Sequence, residues 1–130
     1  MPDRSHEQRT LEEAIGSELL RVHQETYGKG AGTAHTVIAD DAIVVFLDGL
    51  ELQPTEEFLV GAGEGQTVIE VRHRYQEAIE ATVCAVVERA TGRRVISFAS
   101  ATKLNPHYLV EVFRLAPATR DRLDEPPSPR

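Results

Sequence analysis

The chain has 130 residues, 41% of them apolar, which suits one domain around one hydrophobic core. Its formal net charge of −7 sets it against phosphate backbones, so no nucleic-acid partner is expected, and a lone cysteine, Cys84, rules out an internal disulfide and fits a reducing, cytoplasmic setting. The longest unbroken apolar run, Ala42 to Leu47, is far short of the ~20 residues of a membrane span, and no signal peptide follows Met1, so no direct membrane insertion is expected.

Residues 6–27 carry Leu11, Ile15, Leu19 and Val22 at steps of three and four, the spacing of an amphipathic helix. Ser5 or Thr10 can cap its start, and Gly28 sits where it should stop. A glycine-rich loop, Tyr27 to Gly32, leads to two strands, 36–39 and 42–47, joined by a tight Asp40-Asp41 turn. In the second strand Ile43, Val45 and Leu47 point one way and Val44 and Phe46 the other. With both faces apolar, it is expected to be central and covered on both sides.

Gln53 to Leu59 reads as the start of a short helix, with Pro54 at its first position and Glu56 and Glu57 near the positive end of the dipole. After the break Gly61 to Gly65, a long helix is expected from about Gln66 to Ala90. Its apolar stripe is Val68, Val71, Tyr75, Ile79, Val83 and Val86; Glu70 and Arg74 pair on the wet side, and Gly92 ends it. Strands 94–102 and 108–115 follow, turned by Asn105-Pro106.

The expected fold is α+β: a four-stranded antiparallel or mixed sheet of two hairpins with an N-terminal helix, a short helix and a long helix, in the order α-β-β-α-α-β-β. Residues 6–115 form the domain. Residues 116–130, proline-rich and charged, form a tail expected to be disordered.

No catalytic pattern is present. The loop holding Lys29 runs helix to strand, the reverse of a P-loop, and no Ser or Thr follows the lysine. Gln66 stands where a dinucleotide fingerprint needs glycine. The five histidines show no metal-ligand spacing and are expected at the surface or at edges; Cys84 is expected as apolar filler. The chain is therefore read as a non-enzyme without cofactors or metal. Lys29 and Arg72, the latter on a helix face of its own, are the candidate ligands for a small anion, which keeps an anion-binding domain open as the alternative function.

The last strand repeats the two-sided pattern, with Tyr108, Val110 and Val112 on one face and Leu109, Glu111, Phe113 and Leu115 on the other. A chain this small has little to cover both faces. A homodimer that buries a sheet face or a helix face is expected, with Phe46, Tyr108 and Phe113 as interface residues.

Several stretches carry a family resemblance. They are Tyr27-Gly28-Lys29-Gly30, the hairpin into Ile43-Val44-Val45, Leu52 to Leu59, Arg72, Thr91-Gly92-Arg93-Arg94-Val95 and Val110-Glu111-Val112-Phe113. Over roughly residues 8–115 the chain resembles the MpsC-like family of small bacterial domains, named for a sodium-translocating, membrane-potential-generating system. The resemblance implies an accessory protein that works with membrane cation or bicarbonate transport components, hence a membrane-protein partner. The chain departs from the family at Gly30-Ala31, where Gly-Pro is usual, and at Leu52-Gln53, where Leu-Thr is usual. Glutamine is a poorer cap than threonine, so the short helix is expected either to fray or to be anchored differently.

Overall fold

The computed structural model describes residues 5–28 and 32–117. Lys29 and residues 118–130, most of the expected tail, lie outside that range. The elements are α1 (His6–Tyr27), β1 (Thr33–Ala39), β2 (Ala42–Asp48), α2 (Pro54–Gly61), α3 (Gly65–Ala78), α4 (Glu80–Thr91), β3 (Val95–Leu104) and β4 (His107–Leu115). The class is α+β, with one four-stranded sheet in the order β1-β2-β4-β3. Every pairing is antiparallel, which resolves the mixed alternative.

Local chemistry sets the element ends. Ser5 caps α1, its hydroxyl accepting from the Gln8 amide at 3.0 Å. Gly28 closes α1 at φ 93°, and Gly92 closes α4 in the left-handed region. The β1–β2 turn places Asp40 at φ 54°, a conformation aspartate accepts more readily than most residues. The Asn105-Pro106 peptide in the β3–β4 turn is cis.

The expected long helix is in fact two. Ile79, at φ −100° and ψ 7°, lies outside the helical range and separates α3 from α4. The inward-facing residues come from both helices. On α4 these are Val83, Val86 and Val87; on α3 they are Val68, Arg72 and Gln76, four residues apart. Val71, placed in the apolar stripe by periodicity, is 57% exposed.

All helices with buried side chains lie against one face of the sheet. Ile15, Leu19 and Val22 of α1 and the three valines of α4 close over Ile43, Val45, Leu47, Leu109, Phe113 and Leu115. Phe98 and Phe113 pack with ring centroids 5.1 Å apart. Each of these large side chains contributes roughly 1.5–3 kcal/mol by leaving water. β2 is central, as its sequence implied, but helices cover only one of its faces.

Helix α1 crosses β1 closely. A Cβ on Gly16 would sit 2.8 Å from Thr36 Oγ1 and 3.0 Å from the Ala34 Cβ. Farther along, α1 reaches the outer edge of β1. The Ile38 amide donates to Glu12 Oε2 at 2.9 Å, and its carbonyl accepts from Gln8 Nε2 at 3.1 Å. Gly16→Leu should push α1 off the sheet and cost about 1–3 kcal/mol in a denaturant titration. An unchanged midpoint would mean that the crossing is looser than these distances.

Candidate functional site

The uncovered sheet face is a lattice of side chains in register. Its two middle rows are His35, Phe46, Val110, Ala101 and Val37, Val44, Val112, Ala99. Its end rows are Thr33, Asp48, Tyr108, Lys103 and Ala39, Ala42, Arg114, Ser97. The centre is apolar and the charges stand at the two ends. A ribbon of rings crosses it, with His35 and Phe46 centroids 6.4 Å apart and Phe46 and Tyr108 6.1 Å apart. Phe46 and Tyr108, two of the expected interface residues, lie on this face and are half-buried by their neighbours. Phe113, the third, lies on the opposite face and is fully buried in the core, which takes it out of any contact surface.

Beneath the other face lies a polar group that periodicity could not show. His23, expected at the surface, is fully buried, as is Glu111; Gln76 is 2% exposed. His23 Nδ1 lies 2.8 Å from the Leu19 carbonyl oxygen, and Nε2 lies 2.8 Å from Gln76 Oε1 and 3.2 Å from Glu111 Oε2. Gln76 Nε2 donates to the same Glu111 oxygen at 2.6 Å, which fixes the amide with its oxygen toward His23. Both ring nitrogens therefore face acceptors, and the ring must donate from both. Burial pushes the His23 pKa down, but the hydrogen bond and charge of Glu111 outweigh it, with help from Leu19 and Gln76, and the net shift is upward. The pair is an imidazolium and a carboxylate sealed in the core, with Glu111 Oε1 left without a hydrogen-bond partner. A substrate has no route to it.

Arg72 is also buried, at 4% exposure. Its Nε and one terminal nitrogen donate to the two Glu56 oxygens at 2.7 Å each, and that terminal nitrogen also reaches the Glu51 carbonyl at 3.1 Å. The guanidinium lies over the Tyr27 ring, 4.0 Å from its centroid. Burial raises the Glu56 pKa, but hydrogen bonds from Arg72 and the Gln53 amide outweigh it and hold the carboxyl below its ordinary value. Arg72 is thus paired on α2 rather than free on a solvated helix face, and its charge is already met. Arg74, expected to pair with Glu70, is exposed. Gln53 anchors α2 in its own way: its backbone amide donates to Glu56 Oε1 at 2.7 Å and its side chain to the Tyr27 carbonyl at 2.9 Å. The helix start is anchored differently, as the sequence allowed.

The remaining candidates are quiet. Cys84 is half-buried, and burial together with Glu80, Glu88 and Glu111 pushes its thiol up to about 11, so it stays protonated at neutral pH. Among the described residues no group of three or more His, Cys, Asp or Glu could hold a metal ion. A groove of about 470 Å³ between α1 and β1 is lined by Arg9, Glu12, Glu13, Ser17, His35 and Thr36 among others.

Compared with known protein families, residues 7–117 match the model of the Na+-translocating membrane potential-generating system (MpsC). The chain belongs to the MpsC family. No curated protein and no solved structure matches it. The MpsC-like stretches noted in the sequence hold polar joints of this fold. Tyr27 is the platform for Arg72, and Glu111 is the partner of His23. Thr91 accepts from the Arg93 amide at 3.1 Å, and the Arg93 guanidinium bonds the Asp40 and Ala116 carbonyls and pairs with Asp41, tying the β1–β2 turn to the end of β4. Among the described residues no helix is long and apolar enough to cross a membrane.

Proposed function

We propose that this chain is a non-enzymatic accessory subunit of a Na+-translocating, membrane-potential-generating system, held at the cytoplasmic side and acting through protein contacts. The observation that carries the reading is where the polar groups stand. The buried ionisable ones, His23, Glu111, Arg72 and Glu12, are engaged by one another, by Glu56 or by the Ile38 amide, while the outer sheet face offers apolar side chains at its centre. Family membership supplies the system.

A second copy is the occupant we assign to the outer face. Its lattice carries one acidic residue, Asp48, and two basic ones, Lys103 and Arg114, in a chain of net charge −7, so two copies repel least when they meet there. Residues 118–130 offer a single large aliphatic side chain, Leu123, which is too little to cover the face. Sedimentation should show a dimer at micromolar concentration and a monomer for Phe46→Glu; a wild-type monomer would remove the second copy.

Deleting the chain from its host should lower the Na+-dependent membrane potential read by a voltage-sensitive dye, and the wild-type chain should restore it. An unchanged potential in the deletion strain would overturn the accessory reading. The anion-binding alternative has lost support at Arg72, whose Nε and one terminal nitrogen already donate to the two Glu56 oxygens.

A further inference from the structure

Helix α2 is built unlike the others. It has no buried residue, yet it carries Phe58, Leu59 and Val60 in a row. Phe58 is 74% exposed and Val60 38%; Val71, on the neighbouring α3, is 57% exposed. Apolar burial does not hold such a helix. Polar joints hold it instead: the Glu56–Arg72 pair, the Gln53 side chain on the Tyr27 carbonyl and the Glu56 carboxylate on the Gln53 amide. These fix its position from one side and leave its largest apolar side chain in water.

The charge around it is as lopsided. Residues 48–71 contain six carboxylates, Asp48, Glu51, Glu56, Glu57, Glu64 and Glu70, and no lysine or arginine. Nearly all of the chain's formal net charge of −7 is therefore concentrated in this stretch. Arg72 neutralises Glu56, and Glu51, Glu57, Glu64 and Glu70 remain exposed around the apolar residues. An exposed phenylalanine framed by unpaired carboxylates fits a segment with an apolar stripe flanked by Lys and Arg.

We infer that α2 is a docking helix for a basic amphipathic segment of a membrane protein, received on Phe58 and steered by Glu57 and Glu64. The inference rests on the accessory reading for the identity of the partner and deepens it. Cytoplasmic segments next to membrane spans carry an excess of Lys and Arg, which is the required chemistry. An anionic lipid surface does not qualify, because it would repel the same carboxylates. Nor does the chain's own tail, since residues 118–130 carry three arginines against three acids.

The test uses the full chain and a synthetic helical peptide with leucine and tryptophan on one face and lysine and arginine on the other. Fluorescence anisotropy at physiological salt should show saturable binding. Phe58→Ser should weaken it about tenfold without moving the thermal midpoint, because the side chain is not part of the core. Glu57→Gln with Glu64→Gln should weaken it and flatten its salt dependence. Vesicles of phosphatidylcholine with phosphatidylglycerol should not bind. Equal affinity for wild type and Phe58→Ser would overturn the docking helix, reducing the binding to unspecific charge attraction, and so would vesicle binding that Phe58→Ser abolishes. Because these readouts need no membrane potential, failure of the docking helix and failure of the accessory role are seen separately.

Discussion

Glu111→Gln should cost the fold about 1–3 kcal/mol, read as a lower denaturant midpoint, because the fully buried ring loses its counter-charge, gives up its proton and forfeits a charge-assisted hydrogen bond. The substitution keeps the shape and removes the charge, so the loss reports electrostatics rather than a cavity. His23→Leu should cost a similar amount by leaving the carboxylate alone in the core. Replacing His23, Gln76 and Glu111 together by leucine or methionine should recover much of either loss, since an apolar trio has no charge to desolvate. A Glu111→Gln variant within 1 kcal/mol of wild type would show that the pair is not ionised.

The same group gives the fold a pH dependence with a definite sign. The folded pKa of His23 lies above its ordinary value of 6.5, so the folded state holds the proton more tightly than the unfolded chain does. That contribution is fully present below about pH 6.5 and fades as pH rises through the folded pKa. The groups around the ring are Glu111 from β4, Gln76 and Tyr75 from α3 and the Leu19 carbonyl from α1 itself, and Glu111 is the one acidic side chain among them. Unfolding midpoints from pH 6 to pH 10 should fall in the wild type. In Glu111→Gln the slope near neutral pH should reverse, because without the carboxylate burial favours the neutral ring, while the fall above about pH 9 should persist, since burial also holds the Cys84 thiol up at about 11.

Arg72→Ala should cost about 2–3 kcal/mol, since it removes two charge-assisted hydrogen bonds and leaves the half-buried Glu56 carboxylate without a counter-charge. The effect should be uneven. With no apolar anchor of its own, α2 should lose hydrogen-exchange protection well before the sheet does. Arg72→Lys should recover only part of the loss, because an ammonium cannot bond both Glu56 oxygens and the Glu51 carbonyl while lying flat on Tyr27. If α2 stays protected in Arg72→Ala, the polar clamp does not hold the helix.

Apolar spacing made much of this fold legible. Leu11, Ile15, Leu19 and Val22 mark α1, and the alternation through Ile43, Val45 and Leu47 marks the central strand. What spacing could not show was the polar half of the interior. Arg72 and Gln76 continue the inward line from Val68 at steps of four, but a count of apolar residues passes over them in favour of Val71 and Tyr75. Their partners come from β4 and α2, distant in sequence, so no local pattern announces them. One sign was available. Glu111 shares a strand face with Leu109, Phe113 and Leu115, and a carboxylate on a core face requires a buried donor. The break at Ile79 carries no glycine or proline, so none of the residues that commonly interrupt a helix marked it in the sequence.

The edge of β1 has a consequence for how copies can join. Gln8 and Glu12 occupy the outward carbonyl and amide of Ile38, so an incoming extended chain finds those bonding positions taken. β-strand addition along that margin would first have to peel α1 away. Polymerisation by hydrogen-bonded strands is thereby directed to the opposite margin, along β3.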